Sequence, residues 1–166
     1  MTYRPRTYIS FDFDNDQWAR DMFVGQAKNP DTPFNFTDYS QRYEFTESWK
    51  TQCRERIKLS RLVIQLVGAN TYKAMGADWE VKAAKEEGKP VFGVYLDKNN
   101  HGTIPASLRG STVIDWTWDG VAAMINKFPD RFLMGTDEVA PVDQQSYLKI
   151  MDMYAPLLAK LTPEAK

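Results

Sequence analysis

The sequence predicts an open α/β sheet of parallel strands, doubly wound, with helices on both faces. Three observations predict it. Short apolar, β-branched runs alternate with segments of helical periodicity, the pattern of repeated βα units. One run, Leu62 to Val67, is apolar almost throughout, as expected of a strand covered on both faces. No repeat, low-complexity segment or Gly/Ser linker divides the 166 residues, a length that suits one domain.

Each element follows from local signals. Thr7 to Asp12 reads as the first strand. Asp14, Asn15 or Asp16 can cap a helix that carries Trp18, Met22, Phe23 and Gln26. Pro30 and Pro33 mark a loop, and Phe34 to Asp38 reads as the second strand. After a loop from Tyr39 to Phe45, Thr46 can cap a helix reaching about Leu59. In it Trp49, Cys53 and Ile57 recur at every fourth position. Leu62 to Val67 is the third strand and ends at Gly68. A helix is expected from Ala77 to Glu87, stopped by Gly88. Pro90 to Leu96 and Thr112 to Asp115 are the remaining strands, and Asp119 can cap a helix through Phe128. Parallel strands in this order require right-handed crossovers.

Residues 1–128 thus form the domain, and 129–166 a helical extension. From Asp143 to about Leu161 the residues Tyr147, Ile150, Met151, Tyr154 and Leu158 share a stripe, and Pro156 should kink it. This extra C-terminal helix is expected to pack on the domain or on a second copy of the chain.

Composition removes several function classes. Lys and Arg (21) nearly balance Asp and Glu (22), and no basic run occurs, so a general grip on nucleic acid or anionic lipid is not expected. One cysteine, Cys53, and one histidine, His101, argue against an intrachain disulfide, a Cys/His metal centre and a Ser-His-Asp triad. No apolar run approaches a membrane span, and no leader pattern opens the chain. The expectation is a reduced, cytoplasmic, soluble protein. None of the nine glycines forms a GxG, and no Walker pattern is present, so a Rossmann dehydrogenase or P-loop enzyme is not expected.

Ligands of open parallel sheets bind outside the carboxyl ends of the strands. Those ends are Asp12-Phe13-Asp14, Asp38-Tyr39-Ser40, Gly68-Ala69-Asn70 and Asp97. Their polar groups can meet sugar hydroxyls or an amide, and they can equally serve as helix caps and turn residues. On the Ala77–Glu87 helix, Ala77, Val81 and Ala84 form the stripe that should face the sheet, with Glu80 at its edge and Lys82 and Glu86 outward. A carboxylate in a first turn near the sheet can be partly desolvated yet held ionised by the helix N-terminus. Alternatively, Glu80 is simply a favourable first-turn acid. Trp79 is either a surface contact or a cover over a loop; periodicity does not decide. Cys53 belongs to the core, His101 to a solvated turn, and Trp116 and Trp118 to the core edge.

Four motifs in order carry a resemblance. They are Tyr8-Ile-Ser-Phe-Asp-Phe-Asp-Asn-Asp16, Phe36-Thr-Asp38, Ile57-Lys-Leu-Ser-Arg-Leu-Val-Ile-Gln-Leu-Val-Gly-Ala-Asn-Thr71 and Asp78-Trp-Glu80. Across residues 6–128 the chain resembles the TIR-like domains of the Thoeris anti-phage systems. The resemblance implies a flavodoxin-like fold. It also implies an enzyme that senses phage infection and cleaves NAD⁺ between nicotinamide and ribose. Such enzymes cyclise or conjugate the ADP-ribose and so activate an effector partner, and they are often quiet until assembled with copies of themselves. NAD⁺ is substrate, and no further cofactor or metal is implied. The family's catalytic Glu lies on the helix after the third strand, and Glu80 matches it. Phe11, Asp12 and Phe13 would line the nicotinamide end, Asp38 and Tyr39 the loop closing over the nucleotide, and Asn70 and Tyr72 the turn before Glu80. Two departures stand out. Relatives often carry His where this chain has Asp12 or Phe13, and Trp four residues before the Glu, whereas Trp79 is adjacent to it.

Other readings remain. A nucleoside deoxyribosyltransferase or hydrolase shares the fold and the Glu-based N-glycosidic chemistry. A non-enzymatic TIR-type adaptor would use the same domain for docking. A receiver-like phospho-acceptor domain would use Asp12 and Asp14, but Gly68-Ala-Asn70 offers no acceptor Asp at the end of the third strand.

Overall fold

A computed structural model of the protein describes residues 6–28, 37–38, 48–127, 155 and 157–163. Among the described residues five strands and four α-helices follow in order, with an α-helix after every strand except β4: β1 (Arg6–Ser10), α1 (Gln17–Gln26), β2 (Thr37–Asp38), α2 (Trp49–Leu59), β3 (Leu62–Val67), α3 (Met75–Glu86), β4 (Val91–Tyr95), β5 (Thr112–Asp115) and α4 (Trp118–Lys127). Two short 3-10 turns, Thr71–Lys73 and Ala106–Leu108, were not expected from periodicity. The strands form one sheet in the order β2-β1-β3-β4-β5, every pair parallel. That is the flavodoxin-like order, with its switch point between β1 and β3.

The sheet divides the core into two layers. On one side Ile9, Phe11, Ile64, Leu66 and Phe92 pack with α1 and α4. On the other, Tyr8, Val63, Val67 and Val91 pack with Trp49, Cys53 and Ile57 of α2 and Val81 and Ala84 of α3. β3 is buried at all six positions, as its apolar run requires. The expected stripe Ala77, Val81, Ala84 does face the sheet. Trp116 meets Phe23 edge-on at 5.3 Å and donates its indole N–H to Gln26, at the core edge as expected. Of the C-terminal stripe, residues 143–154 lie outside the described residues. Leu157 and Leu161 are buried in the α1/α4 layer, and Asn126 of α4 bonds the backbone of Lys160 and Thr162.

Helix starts differ from expectation. α3 begins at Met75, two residues early, because Ala74 leaves the 3-10 turn in an extended conformation and frees the chain to wind at once. Its first-turn acid is Asp78, and Glu80 stands mid-helix. At α4, Thr117 rather than Asp119 caps, accepting the Gly120 N–H at 3.2 Å. The Thr46 cap lies outside the described residues, and α2 begins at Trp49 after Ser48.

The carboxyl end of β3 is built by close approach. A Cβ on Gly68 would collide with the Asp16 carboxylate, and a Cβ on Gly102 would collide with the Gly68 carbonyl. Backbone therefore lies against backbone where the loop after β4 crosses β3. Gly102→Ala is expected to destabilise the protein by about 1–3 kcal/mol, the range for overpacking. Urea unfolding checks this; an unchanged midpoint contradicts the packing described.

Candidate functional site

The site grows from β1. Its alternation sends Ile9 and Phe11 to one face and Tyr8 and Ser10 to the other, toward α2 and α3. In the parallel register Tyr8 lies beside Val63, and Ser10 beside Gln65 of β3. Three polar tips therefore enter a layer that is otherwise apolar. Ser10 Oγ and Gln65 Nε2 both donate to the Ala77 carbonyl of α3, at 3.4 and 3.3 Å. Gln65 Oε1 is buried without a partner.

Glu80 reaches this layer from α3 and is 8% exposed. The Tyr8 hydroxyl, fully buried, donates to Glu80 Oε1 at 2.6 Å. Cys53 Sγ of α2 stands 3.8 Å from the same oxygen and 3.3 Å from the Tyr8 hydroxyl. Burial pushes the Glu80 carboxyl up from 4.5 to about 7, against the lowering effect of Tyr8, Ser10 and Cys53. Burial, and then the charge of Glu80, push the Tyr8 phenol well above its ordinary value, so it remains a donor. Cys53 is raised to about 12, first by burial and then by Glu80, and stays a thiol. The expected aid from the helix N-terminus is absent, because Glu80 lies beyond the first turn where that field acts.

The other expected residues are dispersed. Phe11 is 9% exposed and joins the α1/α4 layer, on the face opposite Glu80; its ring lies 6.1 Å from Phe13. The Asp12 carboxylate closes its own turn, accepting from the Asp14 N–H at 3.2 Å and Asn15 Nδ2 at 2.7 Å. Asp38 is ion-paired with Arg20 of α1 at the sheet edge. Tyr39 lies outside the described residues. Asn70 is exposed and starts the 3-10 turn, and Tyr72 is 43% exposed.

Asp16, capable of capping on sequence grounds, makes no cap bond. Its carboxylate accepts from the Thr71 hydroxyl at 3.1 Å, and Thr71 accepts the Gly68 N–H. Burial raises its acid range and the neighbouring Asp12 adds to this, while Thr71 lowers it. The first and third strand ends are thus stitched together at the switch point.

Beside the first turns of α3 lies a cavity of about 540 Å³. Trp49, Tyr72, Trp79, Lys50, Lys73 and Lys82 contribute to its lining, and Glu80 does not. Trp79 is half-buried, 5.2 Å from Trp49, with Lys50 and Arg54 over its ring. It therefore covers α2 rather than standing free. Gly76, four residues before Glu80, also lines the cavity. His101 is exposed in a loop, as expected, where it stacks on Tyr95 at 3.9 Å and its Nε2 lies 2.6 Å from Asp115. Among the described residues no group of three His, Cys, Asp or Glu side chains is placed to hold a metal ion, and no helix is long and apolar enough to cross a membrane.

Sequence reasoning missed Tyr8, Ser10, Gln65 and Asp16. A signal existed for the first three: they are the polar interruptions of β1 and β3, in phase on one face. The family model for Thoeris protein ThsB, TIR-like domain, matches residues 8–101. No curated protein matches the chain.

The raised carboxyl has a consequence for stability. Between pH 4.5 and about 7 the folded protein holds a proton that the unfolded chain has released, so stability falls as pH rises through that window. The loss is about 3 kcal/mol at one unit per 1.36 kcal/mol, for a group shielded from solvent. Glu80→Gln is expected to match the parent near pH 4 and exceed it by roughly that amount at pH 8. Denaturant midpoints at the two pH values check this; equal stability at pH 8 contradicts it.

Proposed function

The chain belongs to the TIR-like domain family of Thoeris protein ThsB and is a defence-related TIR module; from that premise we propose that it cleaves NAD⁺ at the nicotinamide–ribose bond. The ADP-ribosyl product, cyclised or conjugated, would then activate an effector in anti-phage defence. The observation that carries this reading is the buried Glu80 carboxylate. An acid that costs stability at neutral pH, held under a permanent donor beside the switch point of the sheet, is the kind of perturbed group that active sites contain.

The chemistry asks little else of the protein. Nicotinamide is bound to ribose as a cation and leaves neutral, taking the electron pair of the C–N bond, so no general acid is needed. The ribosyl fragment becomes oxocarbenium-like. One carboxylate facing it stabilises that charge or accepts from the ribose hydroxyls. The nucleophile, which gives up a proton on capture, sets the product. Water gives ADP-ribose, and a nitrogen or hydroxyl of the same molecule gives a cycle, which requires close ends and excluded water. The lysines and rings around the α3 cavity suit the phosphates and base of a nucleotide. The low exposure of Glu80 supports a resting state with little access, opened when copies assemble. Phe13, Asn70 and Tyr72, near the ends of β1 and β3, remain the side chains proposed to meet the nucleotide, with Asp12 closing the turn that carries Phe13.

A docking module is the second reading. Trp18 and Met22 stand one turn apart on α1 and are 57% and 53% exposed, a face fit for a protein partner. Nucleoside hydrolysis without NAD⁺ cleavage would instead favour the deoxyribosyltransferase-like chemistry.

Nucleotide mass spectrometry of cells expressing the chain, with and without phage, tests the proposal. The expected result is phage-dependent NAD⁺ loss and an ADP-ribosyl product, both reduced at least about 100-fold by Glu80→Gln. Identical nucleotide profiles for parent and Glu80→Gln cells would remove the enzymatic reading. Nicotinamide release by the assembled protein should rise about tenfold per pH unit below 7 and level off above it. A flat profile from pH 5 to 8 would exclude Glu80 as the ionised group.

A further inference from the structure

The Glu80 carboxylate is faced by no cation among the groups that set its ionisation; Tyr8, Ser10 and Cys53 alone favour its charge. From β1 come the Tyr8 and Ser10 hydroxyls, from α2 the Cys53 thiol, and from β3 the Gln65 amide, which is spent on the Ala77 carbonyl. Arg56 acts on Cys53, not on Glu80. On α3 itself the neighbours toward the core are Ala77, Val81, Ala83 and Ala84, none of them charged. A catalytic carboxylate in such a layer depends on its hydrogen-bond donors for both its orientation and its charge.

Tyr8 is the strongest of these donors. Its hydroxyl is 2.6 Å from Oε1, while the Cys53 sulfur is 3.8 Å away and a weaker donor. The phenol ring is fully buried and belongs to the sheet, so the oxygen it holds is fixed relative to β1. The hydroxyl has one proton and two partners in reach, Oε1 at 2.6 Å and Cys53 Sγ at 3.3 Å.

We propose that Tyr8 is the positioning residue of this site: its O–H holds Glu80 Oε1 when the carboxylate is charged, and turns to Cys53 Sγ when the carboxyl takes up a proton. No bond to carbon or sulfur changes; one O–H rotates between two acceptors. Pinning Oε1 leaves Oε2 as the oxygen presented to the ribose. The inference rests on the NAD⁺-cleaving reading for its consequence and on the Tyr8–Cys53–Glu80 geometry for its substance.

The test compares parent, Tyr8→Phe and Cys53→Ala by two measurements. The first is the pH profile of nicotinamide release from NAD⁺ by the full chain. Loss of a hydrogen bond to a charged group should move the acid limb of Tyr8→Phe about one to two pH units alkaline, and loss of the orientation it gives Glu80 should lower the high-pH plateau as well. Cys53→Ala should move it less. A loss spread evenly over all pH values, with the limb unmoved, would mean that Tyr8 only supports the fold and would overturn the proposal. The second is a ¹³C titration of the Glu80 carboxyl, which needs no turnover: its midpoint should move in the same direction, and an unmoved midpoint overturns the proposal. If release survives Glu80→Gln, the NAD⁺ reading fails, while the titration still decides the role of Tyr8. Should Tyr8→Phe fail to fold, 3-fluorotyrosine at position 8 keeps the ring and strengthens the donor. The limb and midpoint should then move to acid; no movement counts against the proposal.

Discussion

One short hydrogen bond, from the Tyr8 phenol to Glu80, joins the central strand β1 to helix α3 inside the protein. Neither side of it is cheap. A carboxyl and a phenol both leave water, and neither finds an opposite charge. An apolar pair of similar volume would pack this layer without that cost. Most of what distinguishes the site follows from this choice: a carboxyl range near neutrality, a thiol raised to about 12, and no cation among the described groups that set the carboxylate's ionisation.

The fold explains why the pair can exist at all. A parallel sheet with β1 at its switch point buries both faces of that strand, so any polar tip on it must be answered by a helix. α3 answers Tyr8 with Glu80, and answers Ser10 and Gln65 with the Ala77 carbonyl one turn earlier. Above them, Asp16, Thr71 and Gly68 lock the carboxyl ends of the strands, and the Gly102 loop closes over the same point.

The sheet was legible in the sequence because alternation and apolar runs report burial directly: β3, β4 and β5 fall where those runs lie. Glu80 was legible only in part. Periodicity placed it at the edge of the buried stripe, but an N-terminus misjudged by two residues assigned it a helix-dipole partner it does not have. Its true partner, Tyr8, is 72 residues away, and no local pattern encodes which polar tips on different elements will meet. Asp16 illustrates the same limit: an Asp before a helix reads as a cap, yet it turns instead to Thr71 because Gly68 leaves room for its carboxylate. Phe11 was read by its place in the chain near the strand end, whereas the two-residue repeat of β1 had already sent it to the other face.

The central claim is that Glu80 is a buried carboxyl poised near neutrality and sensitive to a cation at the ribose. Isotope-edited infrared titration of that carboxyl, alone and with a carbocyclic NAD⁺ analogue that cannot lose nicotinamide, measures it directly. The account predicts a midpoint near 7 in the free protein, falling when the cationic analogue binds. A carboxyl that titrates near 4.5 and ignores the analogue would contradict it.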